Sequence, residues 1–170
     1  MTEAFRNPPA VSLGQRMAVS QVFDALFREG MGLVERTAAY LDGSGREEAR
    51  ALARPASHAY AIESMRLTTR LMQLASWLLL QRAVNEGELT PEDAVREKSK
   101  VDLGRLEPLD PDHARLLPDS LIALIADVRD LQRRILRLDA SIYQDGDRTE
   151  ADNAVVRQMD LLKAAFGARG

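Results

Sequence analysis

Residues 71–80 read LMQLASWLLL, with Gln73 and Ser76 as the polar side chains among them. On an α-helix this segment is apolar on nearly every face, yet its length falls well short of the roughly 20 residues that span a bilayer. Such a helix must be covered on more than one side. We therefore expect either the central helix of a bundle or a helix that also forms a subunit interface, with Trp77 or Leu80 in a homodimer contact.

Two further long helices are predicted on either side of this segment, which itself belongs to a helix over residues 57–86. Apolar side chains recur with helical spacing over residues 13–41. A third helix begins near Asp119, and its apolar residues keep a three-four spacing for three heptads: Leu121, Leu124, Val128, Leu131, Ile135, Leu138 and Ile142. The tripeptide Asp145-Gly146-Asp147 is expected to end it.

These patterns predict an all-α fold with three long helices in an elongated three-helix bundle. The predicted helices are similar in length, roughly 39 to 45 Å at 1.5 Å per residue, which favours side-by-side packing with axes crossing at about 20°. The first two helices should be antiparallel because their connection is short. Shorter helices are predicted over residues 46–54 and 91–100, and a single helical turn over residues 111–115.

Gly30 lies on the apolar stripe of the first helix. A glycine inside a helix costs about 1 kcal/mol relative to alanine. Its missing side chain would let another helix approach closely, so we predict a packing role for Gly30.

The chain is predicted to divide into a bundle domain, residues 1–147, and a mobile C-terminal segment, residues 148–170. Four apolar residues of the segment form one narrow helical stripe: Val155, Met159, Leu162 and Phe166. The stripe lies on a predicted helix of about 17 residues, and a helix of that length is only marginally stable alone in water. It must fold back on the bundle or close a groove on a partner, and its terminal position and glycine-containing tether favour the partner.

The sequence contains few of the residues and motifs that catalytic sites use. The chain has no cysteine, and its two histidines, His58 and His113, are far apart and belong to no metal-binding motif. We predict no catalytic residues, no metal and no cofactor. A net charge of −3 disfavours direct binding of nucleic acid. Residues 1–10, MTEAFRNPPA, lack the pattern of a secretory signal, so we expect a cytoplasmic protein.

Two groups of arginines are candidate partner-binding sites. On the second helix, Arg66 and Arg70 lie one turn apart with Gln73 near the same face. The third helix carries Arg129, Arg133 and Arg137 at four-residue spacing. Either group could instead be a solvated face, salt-bridged to acids or, on the third helix, favoured by the helix dipole. The alternative is contact with an anion or a partner, which the planar guanidinium suits.

One long segment carries a resemblance to a known family. Residues 63–88 read ESMRLTTRLMQLASWLLLQRAVNEGE, and residues 40–43 and 45–48 read YLDG and GREE. This sequence resembles the alphaproteobacterial family named for RcdA, the regulator of CtrA degradation. The resemblance is strong over residues 40–90, and beyond them it extends through the order of helices. It is not a catalytic motif.

The resemblance implies a non-enzymatic adaptor that helps the ClpXP protease degrade the cell-cycle response regulator CtrA. It also implies that unphosphorylated CpdR primes the protease, that PopA, which binds cyclic di-GMP, connects the adaptor to CtrA, and that the protein is placed at a cell pole. It assigns no named partner to either arginine group. The alternative function is a helical scaffold or transcriptional co-regulator without a role in protease delivery.

Overall fold

The structure, a computed structural model, describes residues 13–166, and it describes side-chain surroundings over residues 19–143. The described residues form six helices and no strand: α1 (Leu13–Asp42), α2 (Ser44–Arg50), α3 (Arg54–Asn85), α4 (Pro91–Lys98), α5 (Pro111–Ala114) and α6 (Asp119–Phe166). Three of these helices are long, and the shorter ones lie in the connections. The predicted all-α class is confirmed.

Helix starts follow local capping chemistry. At the start of α4, the Thr90 hydroxyl accepts a hydrogen bond from the backbone N–H of Asp93 at 3.2 Å, and Pro91 occupies the first turn. Helix α3 begins at Arg54, three residues earlier than predicted, because Pro55 is also in the first turn, where a missing N–H costs no helical hydrogen bond. The predicted starts of α1, α4 and α6 agree with the structure.

The predicted end of the third helix is wrong. Helix α6 is continuous through Asp145-Gly146-Asp147 and runs for 48 residues, so residues 149–166 belong to it and do not form a separate helix. A single glycine lowers helix propensity by only about 1 kcal/mol, and no proline is present to remove a hydrogen bond. The acids and the glycine are therefore insufficient to end the helix.

The chain forms two compact units, the first ending at Leu131 and the second beginning at Gln132. The first unit contains α1 to α5 and the N-terminal part of α6. The second contains the remainder of α6, in which Gln132 and Ile135 are buried. The expected separation of a mobile segment after residue 147 stays a prediction.

The core of the first unit is built around α3, which contacts α1, α2, α4 and α5. Its buried side chains include Phe23, Leu26 and Leu33 of α1, Leu71, Leu74, Trp77 and Leu78 of α3, and Leu121, Val128 and Leu131 of α6. Gly30 lies where three helices meet, because an added Cβ would collide with Leu78 Cδ1 and lie 3.5 Å from Leu131 Cδ2. Its predicted packing role is confirmed.

Trp77 does not fit the homodimer interface predicted for it. Its side chain is 1% exposed, and its ring lies 6.4 Å from that of Phe23, centroid to centroid. The central position of α3 within a single chain already covers the indole. Leu80 remains partly exposed, so the interface stays a prediction for Leu80 alone.

The segments YLDG and GREE form the junction between α1 and α2. Tyr40 donates a hydrogen bond to Glu48 Oε2 at 2.7 Å, and Ser120 of α6 donates to Glu48 Oε1 at 3.2 Å. Burial raises the pKa of Tyr40, and its hydrogen bond to Glu48 raises it further. Gly45 is buried, and a Cβ there would lie 2.8 Å from Tyr40 Cε1. These contacts fix the turn between α1 and α2.

Candidate functional site

A cleft lies between α3 and the loop of residues 99–110, with a volume of about 780 Å³. We call it the arginine cleft. Its α3 wall consists of Ile62, Met65, Arg66, Thr69, Arg70 and Gln73. Its loop wall consists of Asp102, Gly104, Arg105 and Glu107. The structure therefore brings all three predicted site residues of α3, Arg66, Arg70 and Gln73, to one cleft.

Arg70 is fixed in this cleft by hydrogen bonds to both walls. Its Nη1 atom donates to Gln73 Oε1 at 3.2 Å and to the backbone carbonyl oxygen of Leu103 at 3.0 Å. Gly104 packs directly against the guanidinium, and a Cβ at this position would overlap Arg70 Nη1. The φ of Gly104 is +63°, a conformation that glycine adopts without strain. The contacts with Leu103 and Gly104 therefore fix the position of the Arg70 side chain and also link the loop to α3.

Arg66 is held by a hydrogen bond to a buried acid, Glu63, which lies one turn earlier on α3. Glu63 is 5% exposed, and its Oε1 atom accepts a hydrogen bond from Arg66 Nη1 at 3.0 Å. His113 Nδ1 of α5 lies 2.5 Å from the same oxygen. Buried charges are tolerated when paired and hydrogen-bonded, and Glu63 has both kinds of partner. This acid also fixes α5 against α3.

Both guanidinium groups keep donors directed away from these internal contacts. Arg66 and Arg70 each use Nη1 internally, and within residues 19–143 their Nε and Nη2 atoms have no hydrogen-bond acceptor. Three arginines and two acids line the cleft, and buried Glu63 next to Arg66 is a third acid, so the formal charges balance while guanidinium donors remain unused. Its chemistry therefore favours a small negative group that accepts several hydrogen bonds.

A stripe of exposed apolar side chains runs along α3 beside this cleft. Met65, Met72 and Leu79 are 72%, 66% and 54% exposed. Their seven-residue spacing corresponds to about two helical turns, so they share one face of α3. We call this set the methionine stripe. The sequence does not predict the stripe, because residues 71–80 are apolar on nearly every face and periodicity alone does not show which side of the helix is covered.

The predicted arginines of α6 belong to different units. Arg129, in the first unit, is half-buried, and its Nε atom is buried without a hydrogen-bond acceptor among the described residues. Arg133 and Arg137, in the second unit, are exposed. Their predicted role in partner binding stays a prediction.

The C-terminal site residues lie on the backbone of α6, but their side chains are outside the described residues: Val155, Met159, Leu162 and Phe166. Their predicted contact with a partner is therefore not tested.

No group of three or more metal-ligating side chains forms within the part of the chain that the structure describes. None of the described helices combines the length and apolar character needed to cross a membrane. The expected absence of a metal, a cofactor and catalysis stays a prediction.

Similarity to known proteins covers most of the chain. A family model described as a protein of unknown function, DUF1465, matches residues 14–166. The crystal structure of RcdA from Caulobacter crescentus CB15 is similar at 48% sequence identity and a TM-score of 0.59. The match covers 72% of this chain and 91% of that RcdA chain. The sequence matches no curated protein.

Proposed function

The chain belongs to the DUF1465 family and is similar to RcdA, and on this premise we propose that it is a non-enzymatic adaptor in regulated proteolysis. The observation that carries the proposal is 48% identity over 91% of the RcdA chain. Similarity over that length supports a shared role better than a short motif would. The name RcdA stands for the regulator of CtrA degradation.

In detail, the proposed adaptor helps deliver CtrA and other cargo to the ClpXP protease. Unphosphorylated CpdR would prime the protease to accept the adaptor, and PopA would connect the adaptor to CtrA. Placement at a cell pole is part of the same proposal. These partners follow from the family resemblance.

The surface of α3 supports a binding role. An adaptor must hold at least two proteins, so it needs exposed contact area in place of an enclosed active site. Met65, Met72 and Leu79 recur on one face of α3, and methionine adapts to differently shaped partners. The methionine stripe and the arginine cleft lie side by side on α3, which suits a partner surface with apolar and acidic groups.

We also propose a homodimer that uses the C-terminal half of α3, where Leu79 is exposed and Leu80 partly so. Sedimentation at roughly tens of micromolar, where a micromolar interface is occupied, should show the dimer. A monomer under those conditions would contradict this part of the proposal.

Retention of the full chain on immobilised ClpXP, with and without unphosphorylated CpdR, tests the adaptor proposal. We expect retention that depends on CpdR. Met72→Glu should weaken retention because it places a charge in the methionine stripe, whereas Val95→Glu should not. Val95 is a matched control because its side chain on α4 is also 60% exposed. Equal retention with and without CpdR, or none in either case, would favour a scaffold or co-regulator.

A further inference from the structure

We propose that the arginine cleft binds a carboxylate of a partner protein, presented next to an apolar side chain. This inference rests on the proposed function, since it names the chemistry of the partner surface that an adaptor would hold.

The two arginines are pre-organised. Arg70 is held by Gln73 and Leu103, and Arg66 is held by buried Glu63. An ordinary surface arginine loses side-chain entropy when it binds a ligand, and internal hydrogen bonds to Nη1 reduce that loss for these two. Their Nε and Nη2 atoms remain available for a ligand. Those two nitrogens form the edge of a guanidinium that binds a carboxylate through two parallel hydrogen bonds.

The charge of the cleft selects among anions. Its loop wall carries Asp102 and Glu107 opposite the arginines of α3. These acids repel a doubly charged phosphate more strongly than a singly charged carboxylate. Buried Glu63 pairs with Arg66, so three acids balance the three arginines and no surplus positive charge offsets this repulsion for a dianion. The cleft therefore fits an aspartate or glutamate better than a phosphate group.

The apolar residues at the edge of the cleft favour a protein segment over a small molecule as the ligand. Ile62 and Met65 line the cleft, and Met65 is 72% exposed. A cleft this open does not enclose a small molecule, whose sites usually bury most of the ligand. A partner segment can place its acid on the arginines and an adjacent apolar side chain on Met65. Such contacts combine a charged anchor with apolar burial, as in other peptide-recognition sites.

Fluorescence anisotropy with a labelled peptide tests the proposal on the full chain alone. The probe is a short peptide that alternates glutamate and leucine and has blocked ends, so that side chains supply its only carboxylates. We expect the glutamate peptide to bind about tenfold more tightly than a control peptide with glutamine in place of glutamate, because charge-assisted hydrogen bonds are lost. Inorganic phosphate should compete no better than chloride at equal ionic strength.

Variants that keep the positive charge distinguish hydrogen bonding by the planar guanidinium from simple charge attraction. Arg66→Lys and Arg70→Lys should each weaken peptide binding about tenfold, because lysine keeps the charge but lacks the planar fork. Gln73→Met keeps the net charge and removes one anchor of Arg70, so it should weaken binding by a smaller factor. Arg50→Lys, an exposed arginine of α2 outside the cleft, should bind as the unmodified chain does. Thermal unfolding of each variant identifies any effect that arises from misfolding.

Three results would overturn the proposal: no binding of the glutamate peptide, equal binding of the glutamine peptide, or unchanged binding in both Arg66→Lys and Arg70→Lys. A fourth, competition by phosphate well above that of chloride, would reassign the cleft to phosphate groups. No protease is present in this assay, so its outcome is separate from that of the adaptor proposal. Peptide binding without protease delivery would contradict the proposed function alone.

Discussion

Arg70 Nη1 donates a hydrogen bond to the backbone carbonyl oxygen of Leu103 at 3.0 Å, linking the middle of α3 to a loop 33 residues further along the chain. An arginine predicted as a contact for partners therefore also determines the shape of its own cleft. Removal of Arg70 would change both charge and loop position. Arg66, which has no bond to the loop, is the cleaner position at which to test binding.

The first prediction concerns Gly104. Gly104→Ala should lower the free energy of unfolding by about 2 to 3 kcal/mol, because alanine is strained at positive φ and its Cβ displaces Arg70 from its hydrogen bonds. Gly87→Ala is the matched control. Gly87 also has a positive φ, +75°, but an added Cβ meets no atom within 4 Å, so strain alone should cost about 1 kcal/mol. Urea denaturation measures both, and equal losses would show that the contact with Arg70 is unimportant.

The second prediction concerns the meeting point of the three long helices. Gly30→Ala should destabilise the fold by about 1 to 2 kcal/mol, since overpacking against Leu78 outweighs the better helix propensity of alanine. Gly32→Ala, two residues away on α1, meets no atom within 4 Å and should stabilise by about 0.5 to 1 kcal/mol. The free energy of unfolding measured in urea should therefore fall for Gly30→Ala and rise for Gly32→Ala. A stabilising Gly30→Ala would show that the helices pack less closely here than described.

The third prediction concerns the buried acid beneath Arg66. His113→Ala should lower stability by about 1 to 2 kcal/mol, because Glu63 loses a hydrogen-bond partner from α5. Asp112→Ala on the same helix should change stability by less than about 0.5 kcal/mol, since its pair with Arg115 is exposed. A double-mutant cycle of His113→Ala with Glu63→Met, which removes the acceptor, measures the coupling between the two side chains. A coupling energy near zero would mean that α5 is held by other contacts.

Much of the fold was predictable because its signals are local. The three-four spacing of residues 121–142 and the all-round apolar segment 71–80 indicate a bundle with a central helix, and Gly30 on an apolar stripe indicates a close approach. Continuity of α6 through Gly146 does not follow from local signals, because the cooperativity of a long helix outweighs one glycine and two acids.

The candidate site was predictable only in part. Helical spacing places Arg66, Arg70 and Gln73 near one face, so their common location follows from the sequence. The contacts that fix these side chains do not, because Leu103 and His113 lie 33 and 50 residues from their partners Arg70 and Glu63 on α3. Spacing within a helix carries no information on such distant contacts. The same limit explains why the sequence predicts Trp77 at an interface although Phe23 of α1 packs against it.

The fourth prediction concerns the C-terminal part of α6. Truncation after Asp147 should leave the melting temperature of the chain nearly unchanged and should impair cargo delivery, if residues 148–170 contact a partner and not the bundle. Circular dichroism gives the melting temperature, and a degradation assay gives delivery. A large fall in melting temperature would instead assign this segment to the core.

The proposed adaptor function is the delivery of cargo to a protease. Its most direct test is the rate of CtrA degradation by purified ClpXP with unphosphorylated CpdR, PopA and cyclic di-GMP, measured with and without the full chain. We predict faster degradation when the chain is present, and no acceleration when CpdR is omitted. A rate that is the same with and without the chain, in a mixture where ClpXP still degrades a directly recognised substrate, would contradict the adaptor function.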